Sequence, residues 1–344
     1  MKKAQEISNE SPVVVLGMHR SGSSAITEML TLFDLYFGKE EDSIGSSSQN
    51  SRGFWERRDV RDVNDKILFS AHCDWDTISN FNLELMEGVT QDGIVDQIKK
   101  LDSQLQAFTE SEGKKSYLLK EPRMCLTFPL WERSFKNKSA VIFIHRNPLE
   151  VAASLNKRND FDEGYSLTLW YNYVLHALKN LKGKRVLFIS YEQLNANPVS
   201  VSEKIHAFLL SENILSSMPD RNRISDIIQG DLRHQKQSID FLPNRYKELN
   251  DVVESFCAKD DASIIDDFSY FEFIEADKET EWNIIFNKYL NFKKEYINTE
   301  SYVHKLKLDK KILTEQVVSK NKEISSYKND LFVKFYVKIK NILK

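Results

Sequence analysis

The chain reads VVVLGMHRSGSS from Val13 to Ser24, and this stretch decides the fold. Its first four residues form a wholly apolar, mostly β-branched run, which is typical of a buried strand. Gly17 and Gly22 then bound a turn, and apolar residues at helical spacing follow in residues 24–36. Because a helix N-terminus carries unpaired N–H groups and partial positive charge, the order strand, glycine-bounded loop, helix predicts an anion site.

The loop supplies groups that bind phosphate-like anions. Arg20 carries a permanent charge and can hold two oxygens at once. The other candidate ligand-binding residues of the loop are His19, Ser21, Gly22, Ser23 and Ser24. The glycine spacing matches the G-x-x-x-x-G-K-[ST] loop of nucleotide triphosphatases, but Ser23 stands where their lysine would be. The predicted strands at 141–144 and 186–189 are not followed by aspartate, which disfavours a triphosphate–magnesium site.

Strands and helices alternate along the rest of the first two thirds of the chain. Apolar runs predict strands at 117–119, 140–144 and 185–189, and periodicity or capping signals predict helices at 59–70, 95–108, 148–155, 167–181 and 198–210. We therefore predict an α/β fold, a parallel sheet flanked by helices on both faces, of the P-loop NTPase-like kind. A polar tail at 1–12 would precede this domain at 13–240, with a linker or accessory segment at 241–276.

The composition changes after about Leu232. Glycine is absent beyond Gly230, and lysine, glutamate, aspartate and asparagine dominate. An imperfect heptad-like seam in 277–344 predicts a helical extension, either a long helix or a coiled coil; its members are Leu306, Leu313, Val317, Ile324 and Leu331. Residues 331–344 are apolar with interspersed lysines, which suits peripheral contact with an anionic membrane, self-association, or docking on the chain's own domain.

Bulk composition narrows the classes of function. The 344 residues carry a net charge of -3, which gives no global sign of a nucleic-acid partner. Three widely spaced cysteines show neither metal-ligand nor disulfide spacing, as is typical of a reducing compartment. No signal-peptide core is visible at the N-terminus and no apolar run approaches ~20 residues. We therefore expect a cytoplasmic protein, or one peripheral to the inner face of the membrane.

A second basic element ends another predicted strand. Residues 142–148 read IFIHRNP, which places Arg146 at the carboxyl end of a strand, where open α/β sheets bind ligands. Ser154 follows two turns into the next predicted helix. Arg146 and Ser154 would hold a second anionic group of the same ligand. The alternative is that Arg146 only pairs with a carboxylate such as Glu150.

These two elements together resemble the family of sulfotransferases that use 3'-phosphoadenosine-5'-phosphosulfate (PAPS), particularly its bacterial and tyrosylprotein-type members. The resemblance covers about residues 13–233. It implies that Arg20 and its loop hold the 5'-phosphosulfate, while Arg146 and Ser154 hold the 3'-phosphate. It further implies transfer of a sulfuryl group from PAPS to a hydroxyl or amine acceptor, with PAP as the product and no required metal.

Four further segments resemble parts of the same family. The stretch RGFWE at 52–56 implies Glu56 as a base, and LLKEPR at 118–123 implies Lys120 as a catalytic cation. The stretch SYEQL at 190–194 implies that Tyr191 lines the nucleotide site, and LRH at 232–234 implies Arg233 as a late basic contact to the nucleotide.

The chemistry explains the need for these residue types. Sulfuryl transfer is an in-line displacement with a loose transition state, so the protein mainly positions groups and stabilises charge. Arg20 and Lys120 are expected to stabilise the leaving phosphate, and Glu56 to accept the acceptor's proton, with Glu121 and His19 as rivals. Alternatively, Lys120 is a solvated strand-end lysine, and Glu56 forms a salt bridge with one of its neighbours, Arg57, Arg58 or Arg61.

The acceptor is not specified by any motif. The resemblance favours a glycan or a lipid-linked saccharide, and four aromatic residues near the loops would either stack on sugars or pack in the core: Phe54, Trp55, Trp75 and Tyr165. Two other functions stay open. A P-loop kinase would bind ATP–Mg²⁺, and a non-enzymatic scaffold with a vestigial loop would be indifferent to Arg20→Ala.

Overall fold

The computed structural model describes residues 11–45, 53–78, 81–83, 88–214, 216–227 and 238–265, together with isolated positions between 299 and 334. The chain divides into two compact units, Met1–Ala276 and Asp277–Lys344. All the strands and helices defined below belong to the first unit. In the second unit, the described positions are helical.

The first unit is built on a sheet of five strands in the order β2-β1-β3-β4-β5. The strands are β1 (Val13–Leu16), β2 (Leu118–Lys120), β3 (Ala140–His145), β4 (Arg185–Ser190) and β5 (Ser263–Ile264). The first four run parallel, and β5 pairs antiparallel with β4. The predicted parallel sheet is confirmed, whereas the two residues of β5 are too few to give a sequence signal.

Ten helices surround this sheet in the described part of the chain. In order, they are α1 (Ser23–Thr31), α2 (Arg58–Ser70), α3 (Gly88–Ser111), α4 (Met124–Glu132), α5 (Pro148–Asn159), α6 (Glu163–Asn180), α7 (Tyr191–Ala196), α8 (Pro198–Ser211), α9 (Arg221–Ile227) and α10 (Asn244–Cys257). The expected α/β class, with helices on both faces of a mostly parallel sheet, is therefore confirmed.

The two faces of the sheet bury alternate residues of each strand, as strand geometry requires. On one face, Val13 and Val15 join a core with apolar residues of α1, α8 and α9. On the other, the Phe188 ring of β4 stacks on Phe256 of α10, with ring centroids 4.8 Å apart. Because both faces are covered, the central strands read as continuous apolar runs rather than alternating ones.

The structure corrects several predicted element bounds. Helix α1 ends at Thr31 rather than at residue 36, because Asp34 takes a left-handed conformation (φ 65°) and Tyr36 bridges to Tyr117 beside the sheet. Helix α3 begins at Gly88, seven residues before the predicted start. Helix α4 was not predicted: it is buried on nearly all sides and contains Pro129, so it shows neither amphipathic periodicity nor an uninterrupted helical sequence.

The C-terminal seam lies mostly outside the described residues. Leu313 and Val317 are helical and 60% and 58% exposed, while Leu306, Ile324 and Leu331 are not described. The coiled coil therefore stays a prediction. Among the described residues, no helix is both long enough and apolar enough to cross a membrane.

Candidate functional site

The candidate site lies at the carboxyl edge of the sheet, where the strand order changes direction. Strand β1 has β2 on one side and β3 on the other, so the connections that follow these strands diverge from this point. Such a switch point opens a crevice between neighbouring loops, and α/β proteins bind ligands there. The loop after β1, Lys120 at the end of β2 and Arg146 after β3 all belong to this edge.

Gly22 shapes the turn from the loop into helix α1. It is the N-cap of α1, and its φ of 88° is a backbone conformation that other residues adopt at a cost. A Cβ added here would lie 2.2 Å from Cδ2 of Tyr191, so the aromatic ring packs directly on the bare backbone. Helix α1 also has no acidic residue in its first turn, so no carboxylate of the helix itself offsets the positive charge of its N-terminal end.

Arg20 joins the two basic elements that the sequence separates. Its Nε donates to Oγ of Ser154 at 2.8 Å, and its carbonyl oxygen accepts from Nη1 of Arg146 at 3.1 Å. Arg20 itself has a φ of 69°, a conformation that a non-glycine residue keeps only when surrounding contacts hold it. Ser154 therefore accepts a hydrogen bond from Arg20, whereas the sequence analysis had grouped it with Arg146.

Arg146 is held on three sides. Its Nε donates to Oε2 of Glu150 at 3.0 Å, and its guanidinium carbon lies 4.5 Å from the centre of the Tyr191 ring. The pairing with Glu150 that was weighed as an alternative is therefore present, but it coexists with the contact to the Arg20 carbonyl. This arrangement fixes the orientation of the planar Arg146 side chain beside the loop.

The site concentrates positive charge. Burial, and then the nearby charges of Arg158 and Arg146, lower the pKa of the Arg20 guanidinium from its ordinary value. Cations brought this close repel each other, and an anion among them would relieve that repulsion. The observed residues therefore fit a ligand that carries anionic groups.

Lys120 is buried (2% exposed) and contacts three groups at the site. Its Nζ donates to Oε1 of Glu56 at 2.7 Å and to the carbonyl oxygen of Phe54 at 2.6 Å, and lies 3.4 Å from Oγ of Ser24. Lys120 is therefore not a solvated strand-end lysine. Glu56 pairs with it rather than with the neighbouring arginines, which contact other groups: Arg57, Arg58 and Arg61.

Glu121, the first rival base, is committed to an internal network. Its Oε2 accepts from Nδ2 of Asn64 at 2.7 Å and from the backbone N–H of Arg123 at 3.1 Å, and its Oε1 pairs with the Arg123 guanidinium. Burial raises the pKa of Glu121 to about 7, although Arg123 opposes that rise. These contacts tie α2 to the start of α4, which is a structural role.

His19, the second rival, lies in an aromatic setting. Its ring meets Trp75 and Tyr173 edge-on, with centroids 4.8 Å and 5.5 Å away. Burial, and then the positive charges of Arg123 and Arg158, lower the pKa of His19 well below its usual range. Its Nε2 is buried and has no hydrogen-bond partner in the described part of the chain. The ring is therefore neutral and has an unsatisfied polar atom beside the loop.

The remaining predicted residues differ in their placement. Ser21 and Ser23 are buried, while Ser24 donates from Oγ to the carbonyl oxygen of Phe54 at 2.9 Å. Arg233 lies outside the described residues.

Sequence reasoning missed Arg158, whose guanidinium carbon is 5.7 Å from the centre of the Phe54 ring. The available signal was its position four residues after Ser154 on α5, because residues so spaced share a helix face. Within the described ranges, no group of three or more metal-ligating side chains gathers.

Comparisons with known proteins find similarity to sulfotransferases. Among solved structures, the sulfotransferase domain from the curacin biosynthetic pathway is 16% identical, with 71% of this chain and 98% of that one covered at a TM-score of 0.44. The sulfotransferase domain of the Synechococcus PCC 7002 olefin synthase is 18% identical, over 73% and 96% of the two chains, at a TM-score of 0.41. Sulfotransferase STF1 from Mycobacterium tuberculosis H37Rv is 12% identical, over 72% and 76%, at a TM-score of 0.41. No curated protein sequence matches the chain. A model of the family described as "Sulfotransferase family" matches residues 12–212, more than half of the chain.

Proposed function

Because the chain belongs to the sulfotransferase family, we propose that it transfers a sulfuryl group from PAPS to a hydroxyl or amine acceptor. The observation that carries this proposal is the junction of the two basic elements: Arg146 donates to the Arg20 carbonyl, and Arg20 donates to Ser154. A ligand with two separated anionic groups, such as PAPS, suits a site in which two arginines are held at neighbouring positions.

In this proposal, each basic element binds one end of the donor. Arg20, with the N-terminal end of α1, binds the 5'-phosphosulfate, and Arg146 binds the 3'-phosphate beside Tyr191. Ser154 orients Arg20, since its hydroxyl accepts from Nε at 2.8 Å and leaves the outer guanidinium nitrogens for the ligand. Arg233 would add a later basic contact. When bound, PAPS supplies the sulfuryl group and departs as PAP with the electron pair of the broken sulfur–oxygen bond.

Lys120 and Glu56 are the proposed chemical groups. Glu56 takes the proton that the acceptor hydroxyl loses as its oxygen bonds to sulfur, and Lys120 stabilises the negative charge on the leaving phosphate oxygen. Their contact at 2.7 Å holds the carboxylate of Glu56 beside the ammonium group of Lys120. Glu56 is favoured over Glu121 because the latter's oxygens are already bound by Asn64 and Arg123. No metal is assigned a role in this scheme.

The proposed acceptor is a glycan or a lipid-linked saccharide. Trp75 is partly exposed and stacks on Phe161, with centroids 5.9 Å apart, so it offers an aromatic surface next to His19. Tyr165 is a core residue instead, because it is buried and its hydroxyl donates to the carbonyl oxygen of Asp76 at 2.6 Å. We place the enzyme in the cytoplasm, with peripheral membrane contact or self-association through residues 331–344.

A transfer assay tests the proposal. Purified protein is incubated with ³⁵S-labelled PAPS and fractions of bacterial glycans and lipid-linked saccharides, and label in the acceptor is measured. We expect transfer by the wild type and a loss of about 100-fold or more with Lys120→Met. The matched control is Lys99→Met, which removes an exposed lysine on α3 that pairs with Asp96. Transfer that Lys120→Met leaves unchanged would contradict the assigned role of Lys120.

A further inference from the structure

Helix α10 lies outside the residues that match the family, yet it reaches the candidate donor site. The matched region ends at residue 212, and α10 spans Asn244–Cys257. Two separate hydrogen-bonded links connect the helix to the two sides of Arg146.

The first link runs to His145, the chain neighbour of Arg146. His145 is buried (1% exposed) at the end of β3, and its Nε2 lies 3.1 Å from Oδ1 of Asn250 and 3.2 Å from Oε1 of Glu254. Both of those oxygens accept, so the hydrogen-bond network assigns the ring proton to Nε2. Two residues one turn apart on α10 thus hold the last side chain of the strand that presents Arg146.

The second link runs to α7, whose first residue stacks on Arg146. Nε2 of Gln193 donates to the carbonyl oxygen of Cys257, the last residue of α10, at 2.8 Å. The same Gln193 side chain accepts from the backbone N–H of Ser190 in a capping box that starts α7. Tyr191, which packs against Arg146 and on Gly22, is therefore fixed in a turn that α10 braces from outside.

We propose that α10 is a positioning element for the donor site, and that Asn250 and Glu254 are positioning residues that set Arg146 for the 3'-phosphate. The inference rests on the proposed function, because it takes Arg146 to be the 3'-phosphate ligand. Asn250 and Glu254 touch no reacting atom. They hold His145, and the peptide that follows His145 carries Arg146.

The docking of α10 does not depend on these two side chains alone. Phe256 stacks on Phe188 of the sheet, and the Tyr246 hydroxyl lies 2.9 Å from Oγ1 of Thr168 on α6. Removing the acceptors at Asn250 or Glu254 should therefore leave the helix in place while releasing His145. A change in nucleotide binding by these variants would therefore reflect a loss of positioning rather than a loss of folding.

The test compares two nucleotides that differ by one phosphate. PAP carries the 3'-phosphate and AMP lacks it, so the ratio of their dissociation constants, AMP over PAP, reports how well Arg146 is placed. Calorimetry on the full chain would give this ratio for wild type, Asn250→Leu, Glu254→Ala and the rescue variant Asn250→Asp. Tyr246→Phe is the control, because it removes a hydroxyl from the same helix without touching His145.

We expect Asn250→Leu and Glu254→Ala to lower the ratio by about 3- to 10-fold, the value of a typical hydrogen bond. Asn250→Asp should restore it, and Tyr246→Phe should leave it unchanged. A purely structural role would weaken both nucleotides equally and leave the ratio intact, and that result would overturn the inference. Failure of the wild type to bind PAP would instead overturn the proposed function.

Discussion

The contact between Gly22 and Tyr191 provides a quantitative test of the loop's geometry. Gly22 has a φ of 88°, and a Cβ at this position would lie 2.2 Å and 2.7 Å from two carbons of the Tyr191 ring. Tyr191 is buried beneath the guanidinium of Arg146, so its ring has little room to move away. Gly22→Ala should therefore add both backbone strain and steric overlap.

The two costs can be separated with a matched glycine. A left-handed conformation costs a non-glycine residue about 1–2 kcal/mol, and overpacking a filled core costs about 1–3 kcal/mol more. We expect Gly22→Ala to lower the free energy of unfolding by about 2–5 kcal/mol. Gly113 has a φ of 65° but nothing within 4 Å of an added Cβ, so Gly113→Ala should cost only the strain, about 1–2 kcal/mol.

Urea unfolding followed by circular dichroism measures both values, and calorimetry with PAP reports the state of the loop. Gly22→Ala should also weaken PAP binding, because the overlap displaces either the loop or Tyr191, whereas Gly113→Ala should not. Equal destabilisation by the two substitutions, within about 0.5 kcal/mol, would refute the claim that Tyr191 packs on the loop backbone.

Three further predictions concern the chemical groups and the C-terminus. Glu56→Gln should lower kcat for sulfuryl transfer by about 10²- to 10⁴-fold, because the proposed base acts on the acceptor. The Kd for PAP should change less than two-fold. A matched fall in PAP affinity would assign Glu56 to donor binding instead. Burial raises the pKa of the Glu121 carboxyl to about 7, so this group destabilises the fold as pH rises from 4.5 to 7. The free energy of unfolding of wild type relative to Glu121→Gln should therefore fall across that range. A pH-independent difference in urea titrations would contradict this prediction. Deleting residues 331–344 should reduce recovery with anionic vesicles in a flotation assay, and unchanged recovery would exclude membrane contact through this segment.

Much of the fold could be predicted from the sequence because buried parallel strands have a strong signal. The apolar runs at β1, β3 and β4 each predicted a strand within one residue of its bounds. Helix α4 could not be predicted, because burial on nearly all sides removes the periodicity that marks an amphipathic helix. The start of α3 was misplaced for a related reason, since its first turn lacks a regular apolar stripe.

The candidate site was predicted as residue types but not as contacts. Local motifs indicated Arg20, Arg146 and Lys120, since each follows or ends a strand at one edge of the sheet. The sequence could not show that Ser154 accepts from Arg20 or that Glu56 pairs with Lys120, because these partners are 134 and 64 residues apart. The contacts of α10 with His145 and Gln193 were missed for the same reason, whereas the spacing of Arg158 from Ser154 on one helix was a local signal that was not used.

Binding of PAP tests whether the two basic elements form one donor site. Calorimetry in the presence of EDTA would compare wild type, Arg20→Ala and Arg146→Ala, with ATP–Mg²⁺ titrated separately. We expect micromolar binding of PAP without magnesium, weakened about 10-fold or more by each substitution, which corresponds to about 1.4 kcal/mol each. Binding of ATP–Mg²⁺ in place of PAP, or PAP binding that neither substitution affects, would contradict it.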